Sequence, residues 1–435
     1  MDREEPTMSL HPMVVLLVCA LSAAALTACS DDPVEQGAAD PNNAANNDAP
    51  DANDDPDGDD PDDGGQTSSD AMDEPDLPEE DPGPLPERPW DITERGFYEV
   101  GYRTIEVTYT PEGLGEPRTL RVPIWYPSRS KRGESPKYMD ILPREGVYEG
   151  VSVGIDAPAP VMVFSHGNQG FSEQSFFFTE YFASHGWIVI APGHTGNTLF
   201  DMISPRPPWM FDARPQDLTQ TLDELYNLPD DDPLAGLLSE EDVVISGHSY
   251  GGYTTLASAG ARYDVEGLLE ECERRLGDDE QCTYITQSQA RYEAGFADER
   301  FKVAIPMAPG NSSVFMDGIA QVDIPVLHMT GVMDQQVRKE SEGDPIWDWL
   351  DGADDLRLQF PRGGHLTFTD SCTLVPGVGR DDGCGDDFVV ASEAHVIINA
   401  YAMAFARFHL FGDEDNADLL SGQRTLSEEA VLLSK

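Results

Sequence analysis

The sequence predicts an α/β protein, built as a mostly parallel sheet with helices on both faces. Three observations carry that prediction. Short continuous apolar runs, such as Pro160-Val-Met-Val-Phe164, Trp187-Ile-Val-Ile-Ala191 and Val243-Val-Ile245, have the length and composition of strands buried on both faces. Helical patterns lie between these runs, and strands alternating with helices imply parallel pairing through crossovers. The run at 243–245 leads directly into Gly247-His-Ser-Tyr-Gly251, which reads G-x-S-x-G, and a small-residue helical pattern follows from Thr254.

The chain has 435 residues, and its start lies outside that fold. Met13 to Leu26 is an apolar run too short to span a bilayer as an ordinary helix. It ends in Leu26-Thr-Ala-Cys29, which resembles a bacterial lipobox, with small residues before the cut. Residues 1–29 are therefore expected to be a lipoprotein signal peptide, with Cys29 lipidated as the new N-terminus. Arg3 is the one basic residue ahead of the run, and Glu4 and Glu5 oppose it. The alternative is an ordinary cleaved signal with Cys29 incidental. Either reading exports the protein: lipid-anchored to the bacterial cell envelope, at the outer membrane, in the first, and periplasmic or secreted in the second. Residues 30–89 are Asp, Asn, Pro, Gly and Ala with almost no aliphatic or aromatic side chains. Such a segment cannot bury enough apolar surface to offset its ordering entropy, so it is expected to be a disordered acidic linker. As a flexible coil of about 60 residues it would reach roughly 40–45 Å, a spacer between membrane and domain.

From Trp90 the texture changes, and 90–435 reads as one domain. Tyr102–Thr110 and Thr119–Tyr126 alternate apolar and polar residues around a turn-rich connection, the pattern of an antiparallel hairpin. Residues 128–158 are loop-rich. The strand at 160–164 follows, then a helix over Glu173–His185, the strand at 187–191, and a helix over Arg214–Leu228. After the elbow at Ser249 come strands at 302–306, 325–329 and 356–360, and a long closing helix over Val389–Phe411. Residues 261–300 interrupt the alternation and are expected to form a small lid or cap insertion near the site.

A serine hydroxyl needs a base, and the base needs an orienter. Strand, tight glycine turn, serine, helix is the nucleophile elbow of the α/β-hydrolase fold, in which acid and histidine follow the serine in that order. The pentapeptide alone is expected by chance roughly 0.15 times in such a chain; the strand before it and the helix after it supply the specificity. Thr330-Gly-Val-Met-Asp334 puts an acid after the strand at 325–329, and Pro361-Arg-Gly-Gly-His365 puts a histidine after the strand at 356–360. Ser249 is assigned as nucleophile, His365 as general base and acid, and Asp334 as orienter. Asp323, Asp344 and Asp354 are rivals for the acid but lie before strands or away from strand ends. The oxyanion donors are expected to be the N–H of Tyr250, directly after the nucleophile, and that of Asn168, in the glycine-flanked loop Ser165-His-Gly-Asn-Gln-Gly170. His166 and His194 are expected to order loops. Phe171, Phe176, Phe177, Phe178, Trp209, Met210 and Phe315 lie on segments flanking the strand ends; most are expected to pack in the core or against helices, with Trp209 and Met210 the best candidates for substrate contact.

The segments Val163-Phe-Ser-His-Gly167, Ser184-His-Gly-Trp-Ile-Val-Ile-Ala-Pro192, Arg214-Pro-Gln-Asp-Leu-Thr-Gln-Thr-Leu-Asp223, Gly247-His-Ser-Tyr-Gly-Gly252 and Gly364-His-Leu-Thr-Phe-Thr-Asp370 resemble the predicted dienelactone hydrolases. More narrowly they are similar to the branch akin to plasma-type platelet-activating-factor acetylhydrolase. The resemblance runs over about 103–412. True dienelactone hydrolases carry a cysteine nucleophile where this chain has Ser249. The resemblance implies hydrolysis of carboxylic esters (short-acyl, phospholipid-type or polyester) without metal or cofactor. The same triad would also serve a peptidase or amidase, and a hydrolase scaffold can be a non-catalytic binding lipoprotein.

The formal net charge is −54, and lysine is scarce. The linker accounts for about 20 of those charges, so the domain itself is strongly acidic, which excludes nucleic acid as a natural partner. Solubility explains such a surface; so does adaptation to high salt, where self-repulsion is screened. A monomer acting on a small-molecule or polymeric ester is expected. Beyond Cys19 and Cys29, four cysteines remain, and an even number in an exported chain suggests two disulfides. Three connectivities exist; Cys272–Cys282 and Cys372–Cys384 are favoured because each pair lies within one local insertion. No pair has the spacing of a zinc site.

Overall fold

A computed structural model describes residues 84–274, 279–375 and 377–435. The expected signal peptide, Cys29 and most of the linker lie outside these residues.

The strands are β1 (Glu99–Tyr109), β2 (Arg118–Ser128), β3 (Lys137–Tyr138), β4 (Leu142–Pro143), β5 (Val147–Tyr148), β6 (Ala159–Ser165), β7 (Ile188–Ile190), β8 (Leu238–His248), β9 (Phe301–Met307), β10 (Leu327–Gly331), β11 (Leu356–Phe360) and β12 (Val431–Ser434). Ten of them form one sheet in the order β12-β11-β10-β9-β8-β6-β7-β2-β1-β5, while β3 and β4 pair separately. The six strands from β11 to β7 run parallel. The expected hairpin is present: β1 and β2 pair antiparallel along their whole length, from Glu99 opposite Ser128 to Tyr109 opposite Arg118. At the far edge β12 closes antiparallel on β11, with Leu356 opposite Ser434.

The helices are α1 (Phe176–Ser184), α2 (Met210–Tyr226), α3 (Tyr250–Ser258), α4 (Val265–Arg274), α5 (Glu280–Ala294), α6 (Asp344–Trp349), α7 (Ser371–Leu374), α8 (Ala391–Phe411) and α9 (Ala417–Leu420). Successive side chains of a strand point to opposite faces, and the core divides accordingly. Met162, Phe164, Val189 and Val244 join α1 and α8 in one buried cluster. Val161, Val163, Ile188, Ile190, Val243 and Ile245 join α2 and α3 in the other. The apolar runs are continuous because both faces are covered.

Helix α2 begins four residues before the Arg214 start read from the sequence, with Pro215 in its interior. A proline there removes the N–H that would bond the carbonyl four residues back. That carbonyl, Phe211 O, instead accepts the Tyr253 hydroxyl at 2.9 Å. The break that Pro215 signals is thus repaired by a side chain from α3, which the local sequence does not show.

The 261–300 insertion is a helical pair, α4 and α5, joined by the disulfide Cys272–Cys282. It grips the first turn of α2: Tyr284 donates to Asp212 Oδ2 at 2.9 Å, and Arg291 pairs with the same carboxylate at 2.9 Å. It borders the Trp209 end of α2.

Candidate active site

The site forms where the parallel strands end. Ser249 follows β8 in a conformation that L residues rarely adopt, with φ 59° and ψ −118°. The strain is held by backbone bonds: its N–H donates to Met307 O at 2.9 Å, and its carbonyl accepts the Gly252 N–H at 2.9 Å. The flanking glycines are required by space. A Cβ on Gly251 would overlap the Ser165 carbonyl, and one on Gly247 would overlap Gly251.

Asp334 lies just beyond β10, and its Oδ1 accepts the N–H groups of Gln336 at 2.9 Å and Val337 at 2.7 Å. This turn leaves Oδ2 for the imidazole, and His365 Nδ1 lies 2.8 Å from it. With Nδ1–H donated to the carboxylate, Nε2 is left unprotonated to act as a base. Both residues are buried. Burial works against the imidazolium, yet the Asp334 charge, its hydrogen bond and the nearby Asp382 charge hold the His365 pKa above the usual histidine value. Asp344, a rival acid, is engaged by Arg357 at 2.7 Å and Lys339 at 2.5 Å, away from the histidine.

Asp382 was not visible as a site residue. Its Oδ1 accepts the His365 N–H at 2.8 Å and the Gln335 N–H at 3.1 Å, and its Oδ2 accepts Gln336 Nε2 at 3.1 Å. It therefore ties the histidine loop to the Asp334 turn. It sits inside the loop closed by Cys372–Cys384, the second disulfide. Rich in Gly and Asp, that loop reads as having little to bury; in the structure Asp382 is 6% exposed. The one sequence signal was its place beside a cysteine downstream of the histidine. Asp370, the last residue of the Gly364–Asp370 motif, accepts the Phe177 N–H at 2.8 Å, docking the same loop on the start of α1.

The loop after β6 passes over Ser249: a Cβ on Gly167 would lie 3.4 Å from Ser249 Cβ. Two tethers hold it. Gly167 N–H donates to Gln174 Oε1 at 3.0 Å, Gln174 Nε2 donates to His248 Nδ1 at 3.0 Å, and His248 Nε2 donates to His365 O at 3.0 Å. His248, given no role by the sequence, thus links the loop to the histidine. On the other side His166 and His194 order the loop as expected: His194 N–H donates to His166 Nε2 at 3.0 Å, which leaves His166 Nδ1–H to donate to Gly167 O at 2.8 Å. Tyr250 N–H begins α3, among the amides that a helix cannot satisfy internally.

A model of the alpha/beta hydrolase family matches residues 162–376, which begin within β6 and take in the elbow, Asp334 and His365. Among solved structures, a ferulic acid esterase from Streptomyces cinnamoneus superposes with a TM-score of 0.54 at 21% identity, covering 78% of this chain and 97% of that one. The chain has the α/β-hydrolase fold. No curated protein matches it in sequence. Within this hydrolase fold the triad candidates occupy the ends of β8, β10 and β11, the edge at which open α/β sheets bind ligands.

The substrate-contact expectation needs correction at Met210, which is 0% exposed and packs in the α2–α3 core, so it cannot meet a ligand. Phe315 is likewise core. Trp209 is half-buried, with the Arg118 guanidinium 5.4 Å from its ring centre. Exposed apolar side chains do occur at this edge: Phe200 and Ile203 after β7, Met316 after β9 and Met333 after β10. Phe200, Ile203 and Met333 lie in loops and Met316 opens a short 3-10 helix, segments where hydrophobic patterning gives no signal. A cavity of about 640 Å³ lies elsewhere, at the amino end of β6 and lined by Tyr98, Arg129 and residues 152–160.

Proposed function

We propose that this chain is a serine hydrolase that cleaves carboxylic esters through an acyl-enzyme on Ser249. The observation that carries the reading is the 2.8 Å contact between His365 Nδ1 and Asp334 Oδ2, brought together from two strand ends behind a strained serine. His365 Nε2 takes the Ser249 proton as Oγ attacks the ester carbonyl. The developing oxyanion is received by the N–H groups of Tyr250 and Asn168. His365 then gives its proton to the leaving alcohol, and water repeats the sequence to release the acid. Asp334 keeps the imidazole oriented and stabilises its charged form.

The solved neighbour is a ferulic acid esterase, so esters of hydroxycinnamic acids are the first substrates to assay. The exposed Phe200, Ile203, Met316 and Met333 favour an apolar ester, in line with the lipid and polyester substrates implied by the dienelactone-hydrolase resemblance. Export with a lipid anchor at Cys29 is supported by the lipobox-like tetrapeptide and by two disulfides, which persist in oxidising compartments. Loss of palmitate incorporation in Cys29→Ala tests the anchor.

The experiment for the activity is labelling with a fluorophosphonate together with turnover of 4-nitrophenyl acetate and its anilide analogue. Ser249 is the expected labelled residue, ester but not anilide is turned over, and Ser249→Ala loses both labelling and turnover while keeping its fold. Labelling elsewhere, or an active Ser249→Ala, refutes the reading.

A further inference from the structure

The segment Arg214–Asp223 belongs to the motif set of the sequence, yet the triad makes no use of it. Arg214 is completely buried on α2. Its guanidinium donates to Asn197 Oδ1 at 2.6 Å, to Ser165 Oγ at 3.1 Å, to Thr254 Oγ1 on α3 at 3.1 Å, to His166 O, and to Gly167 O at 3.5 Å. A buried cation is costly unless its donors are satisfied, and here the acceptors are the loop over the nucleophile and the helix behind it.

The counter-charge is delivered through a directed chain. Asp217 Oδ2 accepts His194 Nδ1–H at 2.8 Å, and His194 Nε2 accepts the Ser165 hydroxyl at 2.8 Å. Ser165 Oγ in turn accepts from Arg214. Asp217 is also paired with Arg118 at 2.9 Å and accepts the Tyr109 hydroxyl at 2.5 Å. Burial, then the Arg214 and Arg118 charges, keep the His194 pKa well below the ordinary value, so it is the neutral tautomer that the chain requires.

The peptide units of the loop show what this achieves. In the 166–167 unit the carbonyl accepts from Arg214 and the N–H donates to Gln174, so both ends are fixed. In the 167–168 unit the carbonyl accepts from His166 at 2.8 Å, from the Gly170 N–H at 3.2 Å and from Arg214 at 3.5 Å, while among the described residues the Asn168 N–H has no acceptor. One end is clamped and the other is left free. We propose that Arg214 is a positioning residue that aims and polarises the 167–168 peptide so that the Asn168 N–H meets the oxyanion formed on attack by Ser249. Hydrogen bonding at a carbonyl strengthens the donor at the other end of the same amide. The inference rests on the reading of Ser249 as nucleophile and Asn168 as an oxyanion donor.

The test compares Arg214→Ala and Arg214→Lys with wild type on a soluble chromogenic ester, with rates normalised to active sites counted by fluorophosphonate titration. Loss of one oxyanion donor costs about 10²–10³ in kcat, and a loss in this range is expected for Arg214→Ala, with KM within about threefold and partial recovery in Arg214→Lys. A trifluoromethyl ketone adds Ser249 and places an oxyanion at the same point. Its affinity should fall by the same factor as kcat/KM, while the matching alcohol, which forms no oxyanion, binds as to wild type. Ser165→Ala keeps the buried charge but removes one of its acceptors and cuts the link to His194; it should show the same signature at about tenfold, and it decides the matter if the Arg214 variants do not fold. Wild-type kcat in Arg214→Ala or Ser165→Ala, or equal losses for ketone and alcohol, overturns the proposal. Failure of the underlying reading looks different: the wild type itself then forms no ketone adduct at Ser249.

Discussion

Asp382 offers the most direct test of how the histidine is held. Asp382→Ala removes the acceptor of the His365 N–H and of the Gln335 N–H. The first is buried and is left unsatisfied, at about 1–3 kcal/mol; Gln335 is exposed and rehydrates. Stability should therefore fall by only about that amount, seen as a few degrees in Tm. Activity should fall further, because the histidine loop loses its tie to the Asp334 turn, and a displacement of about 1 Å can cost roughly 10² in rate. Asp382→Asn separates charge from geometry. It keeps an oxygen for the His365 N–H but removes the negative charge that helps to raise the His365 pKa. Without that charge the imidazolium is less stabilised, so the pKa falls and the unprotonated base is available at lower pH. The acid limb of the kcat/KM profile should move to lower pH in Asp382→Asn, with kcat at its plateau reduced less than tenfold. The assay is kcat/KM against pH on a soluble ester, with Tm by calorimetry. An Asp382→Ala variant within twofold of wild type, or an acid limb that moves upward in Asp382→Asn, refutes the reasoning.

Asp334→Asn should lower kcat by about 10⁴ through loss of tautomer control, without a comparable change in KM, and near-native kcat would exclude Asp334 as the orienter. The double substitution Cys372→Ala with Cys384→Ala opens the loop that carries Asp382; closing a loop of this length contributes about 3 kcal/mol in the chain-entropy model, and kcat should fall more than KM rises, read by steady-state kinetics alongside thermal unfolding. Raising NaCl from about 0.01 to 1 M shortens the Debye length from about 30 to 3 Å, so Tm of this acidic protein should rise across that range; a flat or falling Tm removes self-repulsion as a factor in its stability.

The parts of the site on strand ends were legible because the strands announce themselves. Ser249, Asp334 and His365 each follow a continuous apolar run, and their order along the chain matches the fold. The supports were less legible because they are single polar residues whose value lies in distant partners. Gln174 lies 74 residues from His248, and Asp382 lies 47 residues from Gln335. Met210 was misread for a related reason: a Pro-rich neighbourhood suggests a loop, but the Tyr253 hydroxyl repairs the Pro215 break and lets α2 extend back to bury it. The two-residue strands β3, β4 and β5, with β12, escaped notice because so few residues give no periodicity to read.

Strand β12 seals the edge of β11, whose end delivers His365. A chain cut short before Val431 would leave Leu356–Phe360 as an open border, a template for pairing with another molecule. A cut before Glu429 would also remove the Arg362–Glu429 pair, which joins the histidine loop to this last segment.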